Sequence, residues 1–531
     1  MWWQQGVIYQ IYPRSFQDSN GDGIGDLPGL ISRLDYLNDG TADSLGVDAL
    51  WLSPFFPSPM QDFGYDISDY CAIDPLFGSM EDFTRLISAA HQRGIRIILD
   101  LVMNHTSDQH PWFRNSCHPG SEQADWYIWH EGRRPPNNWL GCLGGGGWSF
   151  SKQRQAWYFH SFLPQQPDLN WRNPQVKQAV KDIMAFWLDK GVDGFRLDVV
   201  NLYFKDKALR NNPQRWFFPG RPYDRQHHRY DRDQPEMHAL LRELRQWVDR
   251  WPERMMVGEI MLEPGKHSDL PASYYGAGDE LHLAFNFEFF HTRFSARSFR
   301  RVIERWSWLL GEHNWPNHTL SNHDFMRHAS RFRGTEQPQR LRLLAMLLLT
   351  LRGTPFLYYG EETGMPEQPV RRRDLQDPAG KRYWPLHPGR DGCRRPMMWS
   401  AQPQDFSAGH SWLPNEPLAS ASVAAQQHDP DSLLNWYKQL IHTRKNTPAL
   451  HSGQQRLLSA PDAVLAYQRG DSNSGQCCTV LLNFSSRPQN SGLPRSSGQS
   501  VLLNSQPQHA PAEAGEILLQ PLQGLVLCQS R

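Results

Sequence analysis

An arginine and an aspartate stand two positions apart in the apolar segment GFRLDVVN, which covers residues 194–201. Successive side chains of a strand point to opposite faces, so Arg196 and Asp198 share one face and their apolar neighbours share the other. A buried arginine in this position hydrogen bonds the carboxylate and lowers its pKa by opposite-charge proximity. The spacing therefore predicts an ionised carboxylate suited to nucleophilic catalysis, with a structural ion pair as the alternative.

Further ionisable residues follow other short apolar runs. Asn104 and His105 follow one run, Glu259 ends another, and His323 and Asp324 follow a third. A single carboxylate at a strand end is usually a turn former or a helix cap. Because the carboxyl ends of barrel strands meet at one face, four such segments predict a shared site with several carboxyl groups.

The elements that position these residues alternate between short apolar runs and helical patterns over the first 360 residues. This alternation is typical of βα units. Eight strands are predicted, at Val7–Tyr12, Ala49–Leu52, Ile95–Met103, Gly194–Val199, Met255–Ile260, Leu283–Phe287, Thr319–Ser321 and Phe356–Tyr359. Helices are predicted at Met80–Arg93, Gln175–Asp189, Met237–Trp251, Ser298–Leu310 and Gln339–Leu351. The predicted fold class is α/β, a (β/α)8 TIM barrel with catalytic groups at the carboxyl ends of its strands.

Two long connections and a change of pattern divide the chain. The segment 104–171 is rich in Gly, Pro, Asn and Trp, which predicts a small domain inserted after the third strand. The segment of about 366–417 predicts a loop-rich subdomain after the eighth strand. From residue 452, short alternating runs between Ser, Gly and Asn turns predict an antiparallel β-sandwich domain, 452–531. The barrel then comprises 1–103 and 172–451.

Composition excludes several classes of protein. A chain of 531 residues can hold a barrel and smaller modules. Its 55 basic residues balance 55 acidic ones, which argues against nucleic acid as the main partner. Its seven cysteines show no metal-ligand or redox spacing, and the sequence shows neither a signal peptide nor a membrane-spanning apolar run. We expect a cytoplasmic protein with no membrane partner and no organic cofactor, of undetermined oligomeric state.

A second constellation of oxygen-bearing side chains occupies residues 18–26, which read DSNGDGIGD. Oxygen ligands at every other position, with glycines between them, are typical of the first part of a calcium loop. An EF-hand is not expected, because Gly29 stands where the bidentate glutamate belongs and Pro28 interrupts the exiting helix. A turn of Gly and Asp residues without metal is the alternative.

These segments, with QPDLN at 166–170 and GVIYQIYP at 6–13, resemble the sequence regions of the alpha-amylase family of glycoside hydrolases. More narrowly, they are similar to its exo-acting α-glucosidase and oligo-1,6-glucosidase branch. The resemblance spans about residues 3–450 and includes the order and spacing of the motifs as well as the residue types. The final domain resembles the family only in general character.

The resemblance implies a retaining mechanism, in which two carboxyl groups flank the scissile bond. Asp198 matches the nucleophile and Glu259 matches the general acid/base, which can carry a proton near neutral pH where it is poorly solvated. Asp324 matches the carboxylate that holds the 2- and 3-hydroxyls of the sugar. His105 and His323 match ligands of the same glucose.

Two more segments match residues that close the site around a chain end. The resemblance implies that Tyr65 stacks on the terminal glucose and that Asp66 binds its 4- and 6-hydroxyls. Arg394 matches a second clamp on that glucose, with Arg395 beside it, and Arg196 keeps the nucleophile charged. The resemblance also implies one structural Ca²⁺ or Mg²⁺ ion, with ligands from Asp18, Asn20, Asp22, Asp26 and the Ile24 carbonyl.

Linkage specificity depends on Val199, the residue after the expected nucleophile. In the branch that this sequence resembles, Val at this position accompanies α-1,6 bonds and Thr accompanies α-1,4 bonds. A hydroxyl near the second sugar is the difference between them. Segments 202–204 and 390–399 resemble those of α-glucosidases that cleave α-1,4 disaccharides. We expect a preference for isomaltose-type substrates with some transfer of glucose, and a maltose-type preference is the alternative.

Two further alternatives share the fold. A sucrose-acting enzyme of the isomaltulose-forming type carries an arginine-rich motif, to which the segment 370–375 is weakly similar. A non-enzymatic, transporter-associated relative lacks part of the carboxylate set and carries a membrane anchor. Asp198, Glu259 and Asp324 are all present here, which disfavours the non-enzymatic relative and a sugar-binding module without catalysis.

Overall fold

Eight short parallel strands form the central sheet of the computed structural model, which describes residues 1–215, 220–263, 269–495, 498–512 and 515–529. They are β1 (Ile8–Ile11), β2 (Ala49–Leu52), β3 (Arg96–Leu101), β4 (Gly194–Leu197), β5 (Met255–Gly258), β6 (Leu283–Ala284), β7 (Asn317–Thr319) and β8 (Thr354–Tyr358). The order across the sheet is β7-β8-β1-β2-β3-β4-β5-β6, with parallel neighbours throughout. This barrel-like sheet confirms the predicted (β/α)8 fold.

Side-chain hydrogen bonds join the two end strands of this order, β6 and β7. Asn317 Nδ2 donates to the Ala284 carbonyl at 2.5 Å, and the Asn286 backbone N–H donates to Asn317 Oδ1 at 3.4 Å. Buried backbone groups need partners, and here one amide side chain supplies them in place of a backbone ladder. The carboxyl ends of the strands consequently meet at one face of the barrel.

The long helices begin and end close to the predicted bounds. They are Met80–Gln92, Pro174–Asp189, Glu236–Val248, Ala296–Leu310 and Gln337–Thr350. A further long helix, Leu433–Lys445, has no counterpart among the predicted ones. Local chemistry explains two of the starts. Ser79 and Asp82 form a reciprocal capping box, and Asn173 caps a helix whose first residue is proline.

The connections contain short helices of four to six residues and 3₁₀ turns. The short α-helices are Trp2–Gln5, Leu27–Ser32, Leu34–Leu37, Pro111–Ser116, Asp269–Ser273, Glu288–His291, His328–Arg331, Pro378–Tyr383, Val423–Gln426 and Pro448–His451. The 3₁₀ turns are Pro13–Ser15, Val200–Leu202, Tyr223–Arg225, Arg372–Asp374, Asp391–Arg394, Pro403–Asp405 and Ala419–Ala421.

Smaller antiparallel sheets lie in the connection between β3 and β4 and after residue 452. The first has the strand order Trp129–His130, Ala156–Phe159, Trp148–Ser151. The C-terminal five-stranded sheet has the order Gln454–Leu457, Val464–Gly470, Cys477–Asn483, Gly524–Gln529, Ser500–Asn504, and a two-stranded sheet pairs Gln489–Pro494 with Glu516–Leu519. Within the described ranges, no helix has both the length and the apolar character needed to cross a bilayer.

Candidate active site

Arg196 lies fully buried on β4, and its guanidinium contacts three carboxyl groups. Nη1 donates to Asp198 Oδ1 at 2.5 Å and to Asp100 Oδ1 at 2.8 Å, and Nη2 donates to Glu259. Asp100 is the register partner of Arg196 on β3, and Glu259 directly follows β5. One cation therefore holds carboxyl groups from three neighbouring strands. The sequence analysis did not include Asp100 in the site, although its position on β3 opposite Arg196 follows from the strand register.

Burial raises the pKa of the two carboxyl groups nearest the Arg196 cation. The pKa of Asp198 rises to about 7, because loss of hydration outweighs the lowering effect of Arg196. Loss of hydration and the negative charges of Asp198 and Asp324 raise the pKa of Glu259 to about 8, although Arg196 lowers it. Arg196 lowers the pKa of Asp198 by its charge and its hydrogen bond, as predicted, but burial, which was not considered, makes the net shift upward. Between the two values, Asp198 is largely ionised while Glu259 retains its proton.

Asp324 follows β7 and is held as an anion. Its Oδ1 accepts from Arg394 Nη2 at 2.9 Å and from Arg390 Nη1 at 3.4 Å, and its Oδ2 lies 3.2 Å from His323 Nε2. Burial raises the pKa of Asp324, but His323 and the two arginines together bring it below its ordinary value. The site thus contains one carboxylate that stays charged beside three carboxyl groups, Asp100, Asp198 and Glu259, whose pKa values burial raises to about 6, 7 and 8.

Two neutral imidazoles and a phenol complete this part of the site. The Tyr65 hydroxyl donates to Asp100 Oδ2 at 3.0 Å and lies 2.6 Å from His323 Nε2. The Gln10 amide nitrogen lies 2.7 Å from His323 Nδ1, which assigns the ring proton of His323 to Nε2. Burial lowers the pKa of both His323 and His105, so both rings are uncharged at neutral pH. Neutral rings of this kind can bind the hydroxyl groups of a polar ligand.

These groups surround a cavity of about 450 Å³ at the carboxyl ends of the strands. Predicted residues that line it are Tyr65, His105, Asp198, Val199, Glu259 and Asp324. Arg196, His323 and Arg394 lie behind the lining and contact the carboxylates that face the cavity. The structure therefore brings together the three carboxyl groups that the sequence analysis singled out.

One predicted residue of the loop after β2 does not reach the cavity. Asp66 is fully buried, and its carboxylate accepts hydrogen bonds from Ser58 Oγ and from the backbone N–H groups of Gln61 and Asp62, all at 2.9 Å. Its oxygens hold the loop in shape instead of facing a ligand. Asp62 lines the cavity in its place, and its Oδ1 lies 2.6 Å from Arg390 Nη2.

Of the arginines in the segment 390–395, Arg390 lines the cavity and Arg394 does not. Arg390 also forms an ion pair with Asp377 at 2.6 Å, so its side chain is fixed from two directions. Arg394 is fully buried and donates from Nε to the His323 carbonyl at 2.9 Å, which orients it towards Asp324. Arg395 points away, towards the carbonyls of Pro369 and Pro414. The only signal for Arg390 in the sequence was its place in the same RDGCRR segment.

The loop 18–26 is shaped by hydrogen bonds to its own oxygens. Asp18 accepts from the backbone N–H groups of Asn20, Gly21 and Gly23, and Asp26 caps the helix Leu27–Ser32 through the Gly29 N–H. The Asn20 and Asp22 side chains each accept from the backbone two residues further on. The oxygen donor types suit Ca²⁺.

The carboxylates of this loop are not gathered around one point. In the described part of the chain, no group of three or more His, Cys, Asp or Glu side chains is placed to hold a metal ion. Asp18 and Asp26 are already engaged by N–H and O–H donors, including Ser407 and Ser19. The expected ion, whose ligands would include the Asn20 amide and the Ile24 carbonyl, stays a prediction, and no chemical step below depends on it.

A TIM barrel with paired carboxyl groups at its carboxyl-terminal face is a framework for glycoside hydrolysis. Residues 10–453 match the family model for the alpha amylase catalytic domain, and the chain belongs to the alpha-amylase family of glycoside hydrolases. This confirms both the family resemblance and the expectation of an enzyme.

Relatives of known name cover nearly the whole chain. The probable alpha-glucosidase of Rhizobium meliloti is 42% identical over 93% of this chain and 91% of its own length. The oligo-1,6-glucosidase of Halalkalibacterium halodurans is 37% identical over 92% of this chain and 91% of its own length. The crystal structure of the alpha-glucosyl transfer enzyme XgtA is 41% identical, with a TM-score of 0.91 over 100% of this chain and 99% of that chain.

We expect the kcat/KM for glycoside hydrolysis to follow a bell-shaped pH profile. If Asp198 is the nucleophile and Glu259 the general acid, as the family resemblance implies, activity needs Asp198 ionised and Glu259 protonated, so the rate rises as the pH passes about 7 and falls as it passes about 8. Initial rates between about pH 5 and 10 measure both limbs. In Glu259→Gln the residual activity loses the alkaline limb, because glutamine does not titrate. An alkaline limb that persists in this variant contradicts the assignment.

The metal prediction has its own test. If the loop 18–26 binds Ca²⁺, removal of divalent ions by EDTA lowers the melting temperature and added Ca²⁺ restores it, because a ligand that binds only the folded state stabilises it. Asp22→Ala removes an oxygen ligand without removing a helix cap, so its melting temperature becomes insensitive to EDTA. A wild-type melting temperature that is the same in EDTA and in Ca²⁺ shows that the loop is a turn without metal.

Proposed function

We propose that the protein is a retaining, exo-acting α-glucosidase that releases glucose from the non-reducing end of short α-glucosides. The observation that carries the proposal is the Asp62–Arg390 ion pair beside the three carboxyl groups of the cavity. It joins the loop after β2 to the segment after β8 and forms a wall next to Asp324. A cavity walled in this way accepts the end of a sugar chain and not its middle.

In this proposal Asp198 attacks the anomeric carbon while Glu259 gives its proton to the leaving oxygen. Water then hydrolyses the glucosyl–Asp198 ester, with Glu259 as the base that removes the proton of that water. Support comes from the single guanidinium of Arg196 that contacts both carboxyl groups. Such closeness is typical of retaining enzymes, because inverting enzymes leave room for a water molecule between the carboxyl groups.

The terminal glucose is held by groups that are already charged or already oriented. Asp324 stays anionic and accepts hydrogen bonds from sugar hydroxyls, and the neutral ring of His105 lines the cavity beside it. We assign the clamp on the terminal hydroxyls to Asp62 and Arg390, since these two line the cavity. Because these contacts are fixed by ion pairs before substrate binds, little ordering accompanies binding.

The proposed linkage is α-1,6, with isomaltose and isomalto-oligosaccharides as substrates. Val199 is buried, lines the cavity directly after Asp198 and offers no hydroxyl to the second sugar. Its backbone has φ 36°, an uncommon value for a β-branched residue, which fixes the position of its side chain at the end of β4. Maltose-type α-1,4 substrates are the second candidate, because segments 202–204 and 390–399 resemble those of α-1,4 enzymes. Likeness to an alpha-glucosyl transfer enzyme favours transfer to sugar acceptors as a side reaction.

We expect glucose to be released from isomaltose faster than from maltose, sucrose or trehalose at equal concentration. Side-by-side initial rates with resolved products measure the order, and proton NMR at early times identifies the anomer. A retaining enzyme releases α-glucose first. A higher rate on maltose replaces the α-1,6 proposal with the α-1,4 one, and absence of glucose from all four substrates refutes the exo-glucosidase.

We expect Asp198→Ala to abolish turnover, because the covalent step then has no nucleophile. Glu259→Gln lowers kcat by about 10²- to 10⁴-fold, since the proton donor is lost while the packing is kept. Circular dichroism and melting temperature show whether the fold is intact, and Asp39→Ala, an exposed aspartate, is the matched control. Near-normal kcat in either active-site variant is incompatible with these roles.

A further inference from the structure

Asn201 fixes a second wall of the cavity beside Glu259. Its side-chain amide donates to Asp233 Oδ1 at 2.6 Å and to the Met261 carbonyl at 2.9 Å, and its Oδ1 accepts from the Met261 N–H at 2.9 Å. The Asp233 N–H donates to the Asn201 carbonyl at 2.8 Å. The residues 223–233 and 261–263 that this amide connects are here named the outer wall.

Arg232 in the outer wall is buried, lines the cavity and leaves two nitrogens without partners. Its side chain is 2% exposed, and neither Nε nor Nη1 makes a hydrogen bond. Its nearest carboxylates, on Asp233 and Glu263, lie 3.7 Å away, beyond hydrogen-bonding distance. In the described ranges, no other arginine leaves two buried nitrogens unpaired. Because buried donors without acceptors are costly, this arrangement points to a ligand that supplies the acceptor.

Glu263 places an acceptor next to this donor. Its Oε1 accepts from the His228 backbone N–H at 2.9 Å, and it lines the cavity with Arg232. The His228 ring is held in turn by Asp231 at 2.8 Å and by the Tyr223 carbonyl at 2.9 Å. A fixed donor and a fixed acceptor a few ångströms apart match the neighbouring hydroxyl groups of a sugar.

The position of the outer wall relative to Glu259 determines whether it contacts the terminal glucose or the leaving sugar. Asp62 and Arg390 form the wall around the terminal glucose, whereas Met261 and Glu263 follow Glu259 directly in the chain. Glu259 is the residue that protonates the leaving oxygen in the proposed function. The residues directly beyond it therefore face the leaving group.

We propose that Arg232, assisted by Glu263, binds the hydroxyl groups of the leaving sugar and sets the preference for a disaccharide over other glucosides. This inference rests on the proposed function. In the complex, the Arg232 guanidinium, which lines the cavity, donates to a sugar oxygen, and the Glu263 carboxylate accepts from a sugar hydroxyl. The same contacts hold a sugar acceptor during transfer, so Arg232 also sets the ratio of transfer to hydrolysis.

The test compares two substrates that share the glucose and differ in the leaving group. Isomaltose or maltose, whichever the wild type cleaves faster, is compared with p-nitrophenyl α-glucoside, whose leaving group carries no sugar hydroxyls. In Arg232→Met the kcat/KM for the disaccharide falls by about 10- to 100-fold, as expected for lost hydrogen bonds to a charged group, and falls much less for the nitrophenyl glucoside. Arg232→Lys regains part of the loss. Arg133→Met, an exposed arginine outside the outer wall, is the matched control.

The outcomes separate this inference from the proposed function. An equal loss of kcat/KM on both substrates in Arg232→Met indicates a purely structural role and overturns the inference. Unchanged kcat/KM on both substrates also overturns it. Glu263→Gln, which keeps the size of the side chain, is the second variant. It lowers the ratio of kcat/KM for the disaccharide to kcat/KM for the nitrophenyl glucoside by a smaller factor than Arg232→Met does. If the wild type cleaves neither substrate, the proposed function itself fails.

Discussion

The site is organised by the need to neutralise one buried guanidinium. Arg196 has no access to water, and a buried cation is tolerated only where carboxylates and hydrogen bonds replace its hydration. Asp100, Asp198 and Glu259 meet this need from three adjacent strands, so their register and protonation are coupled to one side chain. Since a single cation cannot fully stabilise three anions in a dehydrated site, at least one of the carboxyl groups readily holds a proton. Acid/base chemistry near neutral pH follows from this charge imbalance.

The fold and the carboxyl groups were predictable because they depend on local pattern. Alternating strands and helices give the barrel, and the strand period of two places Arg196 and Asp198 on one face. The bounds of β6 were less predictable. It ends at Ala284 instead of Phe287, because the Asn317 side chain and not a further strand pairs with its backbone. This amide belongs to the next strand, so the local sequence of β6 does not predict it. The net upward shift of the Asp198 pKa was not predicted for a similar reason. The charged neighbours of a residue can be predicted from a sequence, but its loss of hydration cannot.

Side-chain directions in loops were the main failure. Asp62 and Asp66 stand four residues apart in one loop, and Arg390 and Arg394 stand four apart in another, yet only the first of each pair lines the cavity. A loop has no period that assigns a face, so the choice depends on contacts far away in sequence, such as that between Arg390 and Asp62. The loop 18–26 also has contacts that its residue types do not predict. Its residue types suggest a ligand set, whereas its hydrogen bonds serve the turn itself.

The hydrogen bonds of Asn201 also bear on how this scaffold can diversify. They tie the outer wall to the ends of β4 and β5, whereas the wall formed by Asp62 and Arg390 is built from the connections after β2 and β8. The two walls share no loop. Insertions or exchanges within residues 223–233 can therefore reshape one side of the cavity while the wall formed by Asp62 and Arg390 stays intact.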